Sequence, residues 1–197
     1  MLVHPEGNAD GPLVPSVAGI LLLGKDPQRF FPQARVAVVQ YAGREMGESF
    51  LKREIEGVVP AQLEEAERIT RDRLATWAHY HRMLEPLEAE GLLRRPIVPV
   101  GCADSAHIYY VLLAAGVDRQ RVLGELKSRN INCVTHYVPL HSSPAGQRYG
   151  RAHGMLEVTD RQSSRLLRLP LWVGLSERQQ RRVAEELKVA ISKSRSG

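Results

Sequence analysis

Cysteine and aromatic residues are scarce in this chain. Cys102 and Cys133 are its only cysteines, too few for a disulfide framework or a cysteine-built zinc site. They fit a reducing compartment, as two buried thiols. Long apolar runs are missing as well. The early run VAGILLL at 17–23 falls far short of the roughly 20 residues that cross a bilayer, and no lysine or arginine precedes it, as a secretory signal would require. Blocks of like charge are also lacking. The net charge of +5 comes mainly from arginines interspersed with glutamates, which reads as a solvated surface and disfavours nucleic acid as a partner. There is no internal repeat and no low-complexity tract beyond the SKSRSG tail. These absences leave a soluble, cytoplasmic protein with no membrane partner.

What is present is globular. The chain is 43% hydrophobic and 25% charged over 197 residues, enough for one ordinary domain or a domain with an appendage. Residues 1–15 have the composition of a loop. Ser16 can cap a short helix running to Gly24, or the same apolar run can form a buried strand; periodicity does not separate the two. ARVAVVQYAG at 34–43 alternates and predicts a strand. Gly19 to Lys25 has the G-x-x-x-x-G-K frame of a phosphate-binding loop. Its interior, Ile20 to Leu23, is apolar, and Asp26 stands where a hydroxyl would hold magnesium, so the residues contradict the mechanism of such a loop.

From Ala61, the recurrence of Leu63, Ala66, Ile69, Leu74, Trp77, Tyr80, Leu84 and Leu87 predicts an amphipathic helix, with Pro86 at its last turn or at a kink. His79 and His81 lie two apart on it, point to roughly opposite sides, and cannot share one metal ion. Gly91 and Pro96 break the chain before a short strand, IVPV at 97–100. HIYYVLL at 107–113 predicts a central strand. Asp118 is the expected N-cap of a helix over 119–129 that buries Val122, Leu123 and Leu126, with Asn130 as a left-handed exit. A strand over 131–138 follows. Thr159 with Gln162, and Ser176 with Gln179, have the spacing of capping boxes. Between them LLRLPLW at 166–172 predicts a strand pushed to an edge by Pro170. The last helix carries the stripe Val183, Leu187, Ala190 and Ile191. From Ala61 onward the order is that of a two-layer α/β arrangement, a small mixed or antiparallel sheet covered by helices.

The stretch INCVTHYVPLHSSPAGQRYG at 131–150 is the candidate site, because a buried strand ending in a loop of imidazoles, hydroxyls and a phenol presents chemistry on a rigid edge. The plain alternative is a strand and a polar turn. Strict alternation puts Cys133, Thr135 and Tyr137 on one face and Val134, His136 and Val138 on the other. His136 and Tyr137 can then share a pocket only if the strand twists or bulges near Pro139. His136 and His141, five apart across a proline, do not have the spacing of a metal pair.

Five stretches, two of them overlapping this site, carry a resemblance to a known family. They are AQLEEAERITRDRLATWAHYH (61–81), LEPLEAEGLLRRPIVP (84–99), HIYYVLLAAGVDRQRVLGELKSRNIN (107–132), HYVPLHSSPAGQRYGRAHG (136–154) and LLRLPLWVGLSERQQRRVAEEL (166–187). Through them, residues 61–192 resemble the C-terminal part of the DegT/DnrJ/StrS-type sugar-nucleotide aminotransferases, most of all members that make dTDP-4-amino-4,6-dideoxygalactose. The resemblance implies the small domain of the aspartate-aminotransferase fold (fold type I of pyridoxal-phosphate enzymes) over 60–197, behind a short N-terminal appendage over 1–59. It implies transfer of an amino group from glutamate to a dTDP-4-keto-6-deoxysugar, with His136, Tyr137 and His141 at the substrate-facing edge and a sugar nucleotide as the ligand. In that family, pyridoxal phosphate sits on a large domain ahead of the matched part, on a lysine. Residues 1–60 do not resemble that domain. None of Lys25, Lys52, Lys127, Lys188 and Lys193 has the small, hydroxyl-bearing neighbours of the family's Schiff-base lysine. The expectation is a truncated aminotransferase-like protein that holds no pyridoxal phosphate alone and is inactive alone, with a separate chain supplying the large domain as its partner. The alternatives are a non-catalytic interaction module or a fragment of a DNA-linked regulator. The last rests on PLVPSVAGILLLGKDPQRFFPQARVAVVQYAG at 12–43. This resembles a segment of bacterial regulators that join a Schlafen/AlbA-type DNA-binding domain to a histidine-kinase-like ATPase domain, a likeness that runs to about residue 58.

Overall fold

The computed structural model describes residues 2–4, 11–41 and 50–195, which form two compact units, residues 1–71 and 72–197. In the first unit, β1 (Leu2–Val3) pairs antiparallel with β2 (Val14–Pro15). The apolar run that follows is a helix, α1 (Val17–Leu23). Ser16 decides this locally: its hydroxyl accepts the Gly19 N–H at 2.9 Å, satisfying one of the orphan donors of the first turn. The glycine-lysine frame is therefore helical where a phosphate loop would turn. The predicted strand at 34–43 is β3 (Val36–Tyr41), in an antiparallel ladder with β4 (Phe50–Ile55) from Val36–Ile55 to Tyr41–Phe50; residues 42 and 43 lie outside the described residues.

A long helix, α2 (Val59–Met83), starts in the first unit and ends in the second. Its opening turns depart from the expected apolar face. Leu63 is 57% exposed, and its neighbour Gln62 is buried. The amide explains the inversion: Gln62 Nε2 donates to the Ala34 and Gly57 carbonyls, both at 2.9 Å. Gln28 reaches the same two residues, donating to both carbonyls and accepting the Gly57 N–H at 2.9 Å. These part-buried carbonyls need donors more than the core there needs another leucine.

In the second unit the helix breaks at Leu84 and resumes as α3 (Glu85–Ala89), with Pro86 in its first turn, where a missing N–H costs nothing. The strand expected at 97–100 is absent. The chain pairs earlier instead, as β5 (Leu93–Arg94), since Leu93 opposite Leu113 is buried, whereas Val100 is fully exposed. β6 (Tyr109–Leu113) is central and β7 (Leu166–Leu169) lies on its other side. All pairings are antiparallel. Tyr109, Val111 and Leu113 of β6, with Leu167 and Leu169 of β7, share one face. That face packs into a core with Tyr80 of α2, Leu84 at the break after it, Val122 and Leu126 of α4 (Arg119–Ser128), and Val183, Leu187 and Ile191 of α7 (Glu177–Arg195). Each fully buried aliphatic side chain contributes about 1.5–3 kcal/mol.

The ends of these helices follow the sequence closely. Asp118 Oδ1 accepts the Gln120 and Arg121 N–H groups at 2.8 and 3.2 Å. The Asp118 N–H donates to buried Ser194 of α7 at 2.9 Å, so the cap also ties α4 to α7. Asn130 has φ 58°, the left-handed exit expected of it. Ser176 and Gln179 form a reciprocal box: Gln179 N–H to the Ser176 hydroxyl at 3.3 Å, and Ser176 N–H to Gln179 Oε1 at 3.0 Å. The other predicted box fails. Thr159 lies inside α6 (Glu157–Arg165), whose N-cap is Leu156, with no side-chain cap. No helix among the described residues is long and apolar enough to cross a membrane.

Candidate functional site

The candidate stretch leaves the sheet after a single residue pair. The strand expected over 131–138 reduces to one bridge, Val134 opposite Arg168, with N–H···O bonds of 3.2 and 2.8 Å. That register explains why it stops. Two residues one way, Asn132 would face Pro170, which has no N–H to give. Two residues the other way, His136 would face Leu166, which directly follows the last residue of α6. Ile131 and Cys133 are buried at the root, and burial pushes the Cys133 thiol up to about 12. This sets it apart from exposed Cys102 and keeps it an un-ionised packing group.

Beyond the bridge the backbone is irregular, and the alternation of faces no longer applies. His136 and Tyr137 are exposed, with their rings in edge contact, centroids 4.8 Å apart at 60°. The chain then makes a 3-10 turn, Leu140–Ser142, and a short helix, α5 (Pro144–Tyr149). Ser143 joins the two: its hydroxyl accepts the Gly146 N–H at 3.0 Å and donates to the Leu140 carbonyl at 2.8 Å. Gly146 is required by this fold-back, because a Cβ there would sit 1.5 Å from the Leu140 carbonyl oxygen.

His141 has a different partner. Its Nε2 lies 3.0 and 3.2 Å from the two carboxylate oxygens of Asp160 on α6. Between the turn, α5 and α6 lies a hollow of about 610 Å³, whose polar lining includes His141, Arg151, His153 and Thr159. The three sequence-predicted residues thus divide. His136 and Tyr137 form an exposed pair, and His141 lines the hollow. Asp160, Arg151 and His153 were not singled out by sequence; Asp160 stands 19 residues from His141, beyond the reach of any local pattern.

A second hollow, of about 500 Å³, is lined by Trp77, His81, Glu88, Arg95, Ile97 and neighbours. Its polar groups are already committed. Arg95 Nε donates to Glu88 at 2.6 Å, Arg95 NH2 to Glu85 at 3.3 Å, and a further N–H to the His81 carbonyl. His81 stacks on Trp77 with centroids 4.8 Å apart; burial, and then the Arg95 charge, hold its pKa down. His79 faces elsewhere, 3.6 Å from Glu177, so the two imidazoles diverge. No group of three or more potential metal ligands occurs among the described residues.

Residues 34–188 match the model of the DegT/DnrJ/EryC1/StrS aminotransferase family, a range that takes in part of the N-terminal segment. A curated relative, the dTDP-4-dehydro-2,3,6-trideoxy-D-glucose 4-aminotransferase of Saccharopolyspora spinosa, is 32% identical over 112 residues, 57% of this chain and 27% of that protein. Among solved structures, the aminotransferase TlmJ from Streptoalloteichus hindustanus is 28% identical, with a TM-score of 0.56, over 74% of this chain and 39% of its own. A DegT DnrJ EryC1 StrS aminotransferase from Brucella abortus is 26% identical, with a TM-score of 0.54, over 67% and 34%. The chain therefore spans about a quarter of the curated relative and between a third and two fifths of these solved ones.

Proposed function

The chain belongs to the DegT/DnrJ/EryC1/StrS aminotransferase family, and from that premise we propose that it is the C-terminal, substrate-facing portion of a sugar-nucleotide aminotransferase of fold type I. The reaction proposed is transfer of an amino group from glutamate to a dTDP-4-keto-6-deoxysugar. The S. spinosa relative, a 4-aminotransferase by name, supports that class. His136 and Tyr137 are proposed to meet the sugar: their rings are exposed and adjacent, and an imidazole beside a phenol offers a sugar both an apolar face and hydrogen-bonding groups. His141, braced by Asp160, completes the edge.

Pyridoxal phosphate, the cofactor of such enzymes, needs a lysine in an enclosed site, and the described lysines do not fit it. Lys188 is bonded to Glu90 at 2.6 Å and Lys193 to Glu125 at 3.0 Å, both on the surface. Lys25 and Lys127 are exposed, and no lysine lines either hollow described above. We therefore assign no step through the cofactor to these residues and propose that the chain alone is inactive, with the large domain supplied by a partner chain. The exposed apolar side chains of the site region, Leu140 at 84%, Tyr137 at 80% and Met155 at 81%, support a protein cover there.

The test is chemical. The chain is incubated with pyridoxal phosphate, reduced with borohydride and mapped for modified lysines, beside an unrelated lysine-bearing protein. Scattered, substoichiometric labelling is expected. One stoichiometric lysine, or amination of the keto sugar at enzyme-like rates, would overturn the inactivity. In parallel, a dTDP-linked 4-amino-6-deoxysugar should perturb the ring signals of His136 and Tyr137; no perturbation would remove them from the substrate edge.

A further inference from the structure

From Leu126 to Leu156 the chain contains no aspartate or glutamate, although it carries 22 acidic residues in all. The same stretch holds His136, His141, Arg148, Arg151 and His153. Charge that is interspersed elsewhere is of one sign here, and the stretch folds around the hollow that His141, Arg151, His153 and Thr159 line. The nearest downstream acid with an assigned role, Asp160, has its carboxylate on His141. Arg148 lies with its guanidinium carbon 5.1 Å from the Tyr149 ring centroid and is not part of the lining. Arg151 is exposed and makes no hydrogen bond or ion pair among the described residues. A guanidinium left unmatched at the lip of a hollow of ligand size is poised for an anion, and its planar fork fits phosphate oxygens in pairs.

We infer that this hollow is a phosphate site, with Arg151 as its charged anchor and His141, His153 and the Thr159 hydroxyl as further donors. Resting on the function proposed above, it takes the diphosphate of the sugar nucleotide, while His136 and Tyr137 meet the sugar. Phosphate oxygens accept from Arg151 N–H groups without displacing an existing partner, whereas His141 keeps its Nε2 on Asp160 and has only Nδ1 to offer.

Pyrophosphate and dTDP are titrated separately into the full chain, observing the imidazole resonances of His141 and His153. The same titrations are made on Arg151→Ala and Arg148→Ala. The expected result is that pyrophosphate shifts both imidazoles, that R151A weakens it at least tenfold, and that R148A leaves it within twofold of wild type. R151A alters an exposed side chain, and an unchanged melting curve will verify its fold. Absence of imidazole shifts with pyrophosphate, or equal affinity in R151A and wild type, would overturn the site. dTDP binding at least as tightly as pyrophosphate, with the same dependence on Arg151, would tie the site to a nucleotide. Pyrophosphate binding through Arg151 with dTDP excluded would leave the phosphate site standing and remove the sugar-nucleotide assignment.

Discussion

Replacing Gly146 by alanine sets two physical effects against each other. Within a helix, alanine is favoured over glycine by about 1 kcal/mol, and on propensity alone the change in α5 should stabilise. The close approach at this residue opposes it. An added Cβ would stand 1.5 Å from the Leu140 carbonyl oxygen, 2.6 Å from its carbon and 3.0 Å from Ser143 Oγ. To open that contact even to 3.0 Å, the turn and the helix must part by about 1.5 Å, beyond what side-chain adjustment absorbs. The movement strains the Ser143 hydroxyl bond to the Leu140 carbonyl and the Gly146 N–H bond to that hydroxyl, 2.8 and 3.0 Å long, together with the Ser143 N–H bond to Leu140 at 3.3 Å. At about 0.5–1.5 kcal/mol each, and sharing atoms, these losses outweigh the propensity gain by roughly 1–3 kcal/mol. None of α5 is buried, so the loss is local. Amide exchange at Ser143 and Gly146 should accelerate ten- to a hundredfold and the His141 ring signal should move, while the melting temperature barely changes. Exchange as slow as in the wild type, or slower, would refute the reasoning, because propensity would then have won.

The remaining predictions concern the scaffold. Leu187→Ala removes a side chain with no exposure at the centre of α7 and should cost about 2–5 kcal/mol in denaturant unfolding; a loss below 1 kcal/mol would mean that α7 does not pack as described. Burial alone would raise the Glu88 carboxyl, but its backbone and side-chain bonds to Arg95 outweigh this and hold it below the usual range. A carboxyl lowered in the folded state contributes stability above its unfolded pKa, near 4.3, and that contribution is lost as pH falls through the lower folded value. Glu88→Gln should therefore be less stable than wild type at neutral pH, with the difference shrinking toward pH 3; a constant gap across that range would show that the ion pair is not its source.

Local signals were readable in the sequence wherever the physics is local. Asp118, Asn130 and the Ser176–Gln179 box each act within a few residues, and each stands where its type and spacing place it. The stripe of α7 was legible for the same reason, since one helix presents all its members to one core. What was illegible depends on distant partners. Nothing near Gln62 announces that the carbonyls of Ala34 and Gly57 need its amide, so the periodicity pointed to Leu63. The apolar residues of 131–138 have strand composition, but pairing depends on the opposing edge, where Pro170 lacks a donor and Leu166 directly follows a helix. Thr159 has the spacing of a cap, yet α6 begins ahead of it, with Leu156 as its N-cap. In the candidate site the residue types were legible in His136, Tyr137 and His141. The Asp160 brace emerges only when α6 folds back beside the loop.

The same geometry separates the parts that hold the fold from the parts free to bind. The sheet, α4 and α7 bury the apolar side chains, and Asp118 and Ser194 tie α4 to α7 through two hydrogen bonds. The loop beyond Val134 contributes almost nothing to that core. It hangs from a backbone bridge at one end and from the His141–Asp160 pair further on. Between these two anchors His136 and Tyr137 keep their polar atoms unengaged among the described residues, and Arg151 does so beyond them. Leaving polar groups unpaired is expensive in a core and nearly free at an exposed loop, where water serves until a ligand replaces it. Two short anchors fix where the loop stands without consuming the groups it presents, which is the condition a recognition surface on a rigid scaffold must meet.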